Sequence, residues 1–311
     1  MGDNFQKFTL LVILGPTASG KTRVGVEIAR ALPGEIISAD SRQVFRGMDI
    51  GTGKDLREYA EVPYYLIDIV DPGYEFSVFE FQRRFAEAFT DIQARGKLPI
   101  LVGGTGLYLD AILRKYRMVE VPRDDLLRKE LAPLSLETLV ARLKKTNLRL
   151  HNTTDLLDRE RVIRAIEIAE FNTEDTEKFP LPFLKPIVFG IRWPREALRQ
   201  RITLRLRERM NQGMIEEVKR LLESGVSFQT LDFYGLEYRF IGEYLEGELK
   251  RNDMFQKLKS AIHQFAKRQE TWFRRMERQG TLIHWVDGGR EPAKAILQIL
   301  GSHRVNHPSS C

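Results

Sequence analysis

Eight residues, Gly15-Pro16-Thr17-Ala18-Ser19-Gly20-Lys21-Thr22, fit the pattern G-x-x-x-x-G-K-[ST] without a mismatch. In such a loop the backbone N–H groups curl around an anion. A lysine at the seventh position reaches a terminal phosphate, and a hydroxyl at the eighth suits a magnesium ion. Gly15 to Thr22 is therefore a candidate cradle for a di- or triphosphate such as ATP, with Thr22 as the Mg2+ ligand. The motif does not say what is done to the phosphates. Asp40 is the acid best placed for that, because it follows a short strand, Glu35 to Ala39. It could activate an acceptor group, or it could cap the next turn. Gln43, three residues on, could read a base edge. Arg201 and Arg205 are spaced i, i+4 and share a helix face. Two guanidinium groups held that way suit a diphosphate, although a solvated face has the same pattern.

The elements that must position these residues alternate in type. Leu10 to Leu14 reads as a strand, and Arg23 to Leu32 as a helix with Val24, Ile28 and Leu32 on one face. Glu35 to Ala39 and Tyr64 to Val70 read as strands. Ser77-Val78-Phe79-Glu80 is a capping box opening a helix to about Gly96. Leu98 to Val102 is a buried strand ending in Gly103-Gly104-Thr105-Gly106. This order predicts an α/β fold, a P-loop NTPase-like parallel sheet flanked by helices. Ligands in such sheets sit at the carboxyl ends of the strands, so Thr17, Asp40 and Thr105 should converge.

From Lys115 to about Lys185 helical periodicity replaces the alternation, and Phe171 to Pro186 reads as a loop. The predicted organisation is a core part at 1–114, a helical insertion domain at 115–185, and the rest of the core at 186–311. Ile187 to Ile191 should rejoin the sheet. A helix over Arg195 to Gln212 presents Leu198, Ile202, Leu206 and Met210 to the core. Another over Asp253 to Arg278 carries Phe255, Leu258, Ile262, Phe265, Gln269 and Trp272 at helical spacing. Thr281 to Val286 reads as a strand, Glu291 to Leu300 as a helix, and Ser302 to Cys311 as an unstructured tail.

The formal net charge is +6, and the cations cluster. One set runs from Arg192 to Arg209, a second from Lys257 to Arg278, and a third from Arg142 through Lys144, Lys145 and Arg149 to Arg164. Such clusters suit a polyanionic partner. The single cysteine, Cys311, excludes an intrachain disulfide and a cysteine zinc cluster. No apolar run approaches the ~20 residues that span a bilayer. A cytoplasmic monomer is expected. A hydrolytic motor would end its best strand in a magnesium-positioning acid, whereas Leu98 to Val102 ends in Gly-Gly-Thr. A small-molecule kinase using Asp40 as base remains open on these residues alone.

Taken together the motifs become specific. The phosphate loop is followed by Ser38-Ala39-Asp40-Ser41-Arg42-Gln43-Val44-Phe45, then Gly47-Met48-Asp49-Ile50-Gly51-Thr52-Gly53-Lys54. Next come Gly103-Gly104-Thr105-Gly106-Leu107-Tyr108 and Ala266-Lys267-Arg268-Gln269-Glu270-Thr271-Trp272. In this order they resemble the tRNA dimethylallyltransferases, over residues 10 to about 287. The resemblance implies transfer of a dimethylallyl group from dimethylallyl diphosphate to N6 of an adenosine beside the anticodon, with Mg2+ as cofactor and tRNA as partner. It implies Asp40, Thr17, Lys21 and Arg205 as catalytic residues, and Gly15 to Thr22 with Arg201 and Arg205 as the diphosphate site. It further implies tRNA contacts at Asp40, Ser41, Arg42, Gln43, Thr105, Lys267 and Arg268, and on an inserted helix at Glu160, Arg161, Val162, Ile163 and Arg164. A free-nucleotide isopentenyltransferase would share the loop and base. Segments 235–239 and 263–265 depart from the family pattern.

Overall fold

Leu10–Leu14 (β1) is apolar at every position and buried at every position, as a central strand covered on both faces requires. The computed structural model describes residues 8–116, 118–146, 156, 158–171 and 180–305. Its described residues divide into two compact units, residues 1–116 with 181–311, and residues 117–180.

The first unit is built on a six-stranded sheet in the order β3-β2-β4-β1-β5-β6, with Gly34–Ala39 (β2), Tyr64–Tyr65 (β3), Leu98–Gly103 (β4), Pro186–Arg192 (β5) and Ile283–Asp287 (β6). All its pairings are parallel, and β1 lies between β4 (Leu11 opposite Ile100) and β5 (Leu11 opposite Ile187). Residues of β1 alternate between two cores. Leu10, Val12 and Leu14 pack with Phe81, Phe85 and Phe89 of Val78–Ala94 (α2), Leu109 of Gly106–Leu113 (α3), and Phe273 of Arg251–Arg278 (α11). Leu11 and Ile13 pack with Val24 and Ile28 of Lys21–Ala31 (α1) and Ile296 of Pro292–Val305 (α12). A third core gathers Phe45 and Met48 with Arg195–Asn211 (α7), Met214–Glu223 (α8), Phe228–Tyr234 (α9), Leu236–Leu245 (α10) and the first half of α11.

The second unit holds Asp125–Leu131 (α4), Leu136–Thr146 (α5) and Arg159–Glu170 (α6) around Leu131, Leu139, Leu143, Val162, Ile163 and Ile166. Arg149 and residues 172–179 lie outside the described residues.

Several expectations need revision. The strand expected over Tyr64 to Val70 keeps only two residues, with an isolated bridge from Phe45 to Val70. Leu66 and Asp68 have positive φ, which breaks the ladder. On α11 the buried stripe is Met254, Leu258, Ile262, Ala266, Gln269, Phe273 and Met276, while Phe265 is 39% exposed under the guanidinium of Arg268. On α7 the buried position is Arg209 rather than Met210. Ser77 caps α2 by accepting the Glu80 N–H, but the Glu80 carboxylate turns to Tyr74 and Arg84, so only half of the capping box forms. The last helix runs on to Val305 where a tail was expected. Among the described residues no helix is long and apolar enough to cross a membrane.

Candidate active site

Because β2, β4 and β1 are neighbours, the loops that leave their carboxyl ends emerge side by side. The loop after β1 is the phosphate-loop motif. Gly20 caps α1 at φ 86°, a left-handed conformation open to glycine at no steric cost. Ala18, with φ 61°, takes the same region against its preference, a strain typical of functional loops. Side chains from the end of β5 and from α7 hold that shape. Arg201 Nε donates to the Ala18 carbonyl at 2.9 Å, and Trp193 Nε1 to the Ser19 carbonyl at 2.9 Å. The Arg201 guanidinium also stacks 4.1 Å above the Trp193 ring. Ser19 Oγ is buried with no partner among the described residues.

Four cations gather at this loop. Lys21 Nζ is 3.4 Å from the Pro16 carbonyl. Burial pushes its ammonium down to about 8; Asp40 and Asp55 oppose the shift, and Arg205 and Arg209 add to it. Arg209 is buried on the α7 row Arg201, Arg205, Arg209. Burial and then Arg205 push it down to about 10, although Glu237 lies 3.8 Å away. Burial holds Glu237 above the usual carboxylate range, so desolvation outweighs this loosely aligned pair. Arg201 is lowered by the same two causes, burial and Arg205. Arg205 pairs with Asp55 and reaches the Gly53 carbonyl at 3.4 Å. In all three, Lys21, Arg201 and Arg209, burial is the chief cause and the neighbouring Arg205 adds to it. A multiply charged anion would relieve all three.

Asp40 and Thr105 are stitched together beside this pocket. Asp40 is half-buried, and its Oδ1 accepts the Arg42 N–H at 2.9 Å. One oxygen therefore does cap the turn, and the carboxylate is also within electrostatic reach of Lys21. Thr105 Oγ1 accepts the Ser41 N–H at 3.0 Å, and its own N–H bonds the Ala39 carbonyl at 3.2 Å. Arg42 lies 5.0 Å from the Phe233 ring centroid. The side chain of Gln43 is buried, with Oε1 accepting from Ser38 and Nε2 donating to the Gly53 carbonyl, and these two bonds fix the orientation of its amide.

The Gly47–Lys54 motif is a scaffold. The Glu217 carboxylate accepts three consecutive N–H groups, from Asp49, Ile50 and Gly51, as well as the Tyr238 hydroxyl. Lys54 is 1% exposed and tied to Asp49, Asp68 and the Phe45 carbonyl.

On α11, Lys267 and Arg268 are exposed. In the second unit, Glu160 and Arg161 are exposed on α6, and Arg161 lies 3.5 Å from Asp158. Val162 and Ile163 are 1% and 4% exposed, which corrects their expected RNA contacts, since their side chains fill the unit's own core. Arg164 donates to the carbonyls of Val121 and Pro122 and to Glu167.

Among the described residues no cluster of three or more His, Cys, Asp or Glu could hold a metal. A Mg2+ ion takes few protein ligands and completes its shell with phosphate oxygens and water, so the candidate contact is a single hydroxyl. Thr22, half-buried at the start of α1, is the hydroxyl at hand. Sequence reading missed Trp193, Arg209 and Glu237. Arg209 was findable as the next i+4 step after Arg201 and Arg205. It also left Gln269 without a role, although a polar residue on an apolar stripe is itself a signal.

The sheet order and the loop after β1 define a P-loop-type α/β protein. A family model described as IPP transferase matches residues 43–276. The chain is 64% identical over 304 residues to tRNA dimethylallyltransferase 1 of Geotalea daltonii, covering 98% of this chain and 99% of that one. It is 52% identical to tRNA dimethylallyltransferase 2 of Shewanella sediminis, covering 95% and 98%. This chain belongs to the IPP transferase family. The crystal structure of a full-length tRNA isopentenylpyrophosphate transferase from Bacillus halodurans is similar, with TM-score 0.70, 34% identity and 96% of each chain covered. A eukaryotic dimethylallyltransferase structure shares the fold at TM-score 0.75 and 23% identity, over 96% of this chain and 80% of that one.

Proposed function

We propose that this enzyme transfers a dimethylallyl group from dimethylallyl diphosphate to N6 of an adenosine next to the anticodon of tRNA, releasing diphosphate. The observation that carries the chemistry is the cluster of Lys21, Arg201, Arg205 and Arg209 at the phosphate loop, beside the half-buried carboxylate of Asp40. The relatives' names supply the allyl group and the RNA.

In the reaction the allylic C–O bond breaks and the N6–C bond forms. The bonding pair leaves with the diphosphate, whose charge rises as the bond lengthens. Lys21, Arg201 and Arg205 are placed to bind that charge, and fixed donors do so without reorganising. Bound Mg2+, held by Thr22 and the phosphate oxygens, would neutralise part of the same charge. Asp40 takes the proton that N6 sheds. Its bond from the Arg42 N–H fixes the carboxylate, the support a general base needs to meet its proton in a defined geometry. Thr17 and Thr105 line the same strand ends and position the reactants. RNA is held at Ser41, Arg42, Lys267 and Arg268, with Glu160 and Arg161 offering a further contact on the helical unit. An adenosine in a stacked loop must be flipped out to meet the strand ends, at a cost of a few kcal/mol.

The test is to incubate the protein with labelled dimethylallyl diphosphate, Mg2+ and total tRNA, then to digest the RNA and identify the labelled nucleoside. N6-dimethylallyladenosine beside the anticodon is expected. Label entering AMP as readily as tRNA would favour the free-nucleotide reaction. Transfer of the γ-phosphate of ATP would establish a kinase instead.

A further inference from the structure

Gln269 is 7% exposed and sits on the buried stripe of α11. Its side chain reaches two of the strand-end loops at once. Oε1 accepts the Thr17 N–H at 2.8 Å, and Nε2 donates to the Gly104 carbonyl at 2.9 Å. The chemistry fixes the amide's orientation, since an N–H needs an acceptor and a carbonyl needs a donor. The meeting point has no spare room. A Cβ on Gly104 would lie 2.5 Å from Gln269 Nε2, 3.1 Å from the Gly15 carbonyl and 3.4 Å from Lys21 Nζ. One turn further along α11, the Trp272 ring fills the space that a Cβ on Gly106 would take, at 2.4 Å. A single 28-residue helix therefore braces the phosphate loop through Gln269 and the Thr105 loop through Gln269 and Trp272. The same helix exposes Lys267 and Arg268, the two residues that precede Gln269 in sequence.

We propose that Gln269 is a positioning residue that couples RNA docking on α11 to diphosphate binding in the phosphate loop. The inference rests on the RNA and diphosphate reading above. RNA held by the exposed face of α11 fixes the helix, and Gln269 passes that constraint to Thr17 and Gly104. Linkage then requires reciprocity, so bound diphosphate tightens RNA by the same factor.

Calorimetry on the full chain tests it, with inorganic diphosphate and Mg2+ titrated in the absence and presence of a saturating anticodon stem-loop RNA. In the wild-type protein the RNA should tighten diphosphate by about fivefold or more, the lower edge of ordinary coupling. Gln269→Met keeps the side-chain volume and removes both hydrogen bonds. It should bring that ratio to within about twofold of unity, with RNA affinity in the absence of diphosphate unchanged. Gln269→Glu keeps the Thr17 bond and loses donation to Gly104, so its ratio should fall between the two; it serves if the Met variant does not fold. A wild-type ratio of one, with both ligands bound, overturns the coupling and leaves the functional reading intact. A Gln269→Met variant that weakens diphosphate equally with and without RNA also overturns it, by reducing Gln269 to loop support. Failure of the wild-type protein to bind either ligand sinks the functional reading and this inference together.

Discussion

Two arginine-rich regions of this protein read alike in sequence and do opposite work. In the helical unit each well-placed guanidinium meets its counterpart. Arg128 forms a fork on Glu167 at 2.7 and 2.9 Å, and Arg142 does the same on Glu170. Arg159 donates to the carbonyls of Leu131, Ala132 and Leu134. At the phosphate loop, among the described residues, Lys21 bonds one carbonyl at 3.4 Å, Arg201 spends one N–H on Ala18, and Arg209 reaches the Gly51 carbonyl at 3.5 Å, has Glu237 at 3.8 Å and keeps an Nε without a partner. Charge clusters in a sequence count cations. What separates a brace from a binding site is whether the fold supplies acceptors as well.

The contrast can be broken at several points. Asp40→Ala should show the largest effect, lowering kcat by about 10²–10⁴-fold while leaving diphosphate affinity nearly unchanged. Near-normal turnover in a quench-flow assay would leave Asp40 as a turn cap alone. In the other region, Glu167→Ala removes the carboxylate shared by Arg128, Arg164 and the Asp124 N–H and should destabilise the helical unit by about 1.5–3 kcal/mol. Hydrogen exchange across α4 to α6 would show this, with diphosphate binding preserved; a unit left at full protection would mean its arginines are not braces.

Lys21→Met should weaken diphosphate by about 1.5–3 kcal/mol, the worth of a charged hydrogen bond. The sign of its pH dependence follows from the depressed ammonium. Free Lys21 is charged below about 8 and neutral above it. Diphosphate favours the charged form, so wild-type affinity should fall as pH rises above that point. Lys21→Met should lack this component of the pH profile, and identical profiles would remove Lys21 from the site. Arg205→Gln should cost less, about 1.5 kcal/mol, because binding must first compete with Asp55. The smallest effect is expected for Lys267→Gln, which should lower the log-log salt slope of RNA binding by about 0.7–0.9 and leave diphosphate affinity alone. An unchanged slope would mean that residue meets no phosphate.

The sheet and the site's outline were legible because they rest on local signals. Continuous apolar runs gave β1 and β4, glycine spacing gave the loop, and strand ends gave Asp40 and Thr105. Less legible were features decided by partners distant in the chain. Val162 and Ile163 stand in a charged helix, yet the packing of α5 against α6 decides which face turns inward. The short β3 depended on positive φ at Leu66 and Asp68, and neither residue type announces it. Phe265 matched the helical period of α11, but Ala266, one residue on, is the side chain that is buried.

The position of β1 has a consequence for how the chain is made. Its neighbours in the sheet are β4 and β5, and β5 lies beyond the whole helical unit. On a ribosome, Leu10 cannot meet Pro186 until everything between has been synthesised. The helical unit is contiguous in sequence and closes on contacts of short range, so it can fold while β1 still has one edge bare. A nascent chain halted before residue 186 would expose that edge, with its row of unpaired N–H and C=O groups, to any other strand nearby. Arrested at that length, the N-terminal half should need a chaperone more than the finished protein does.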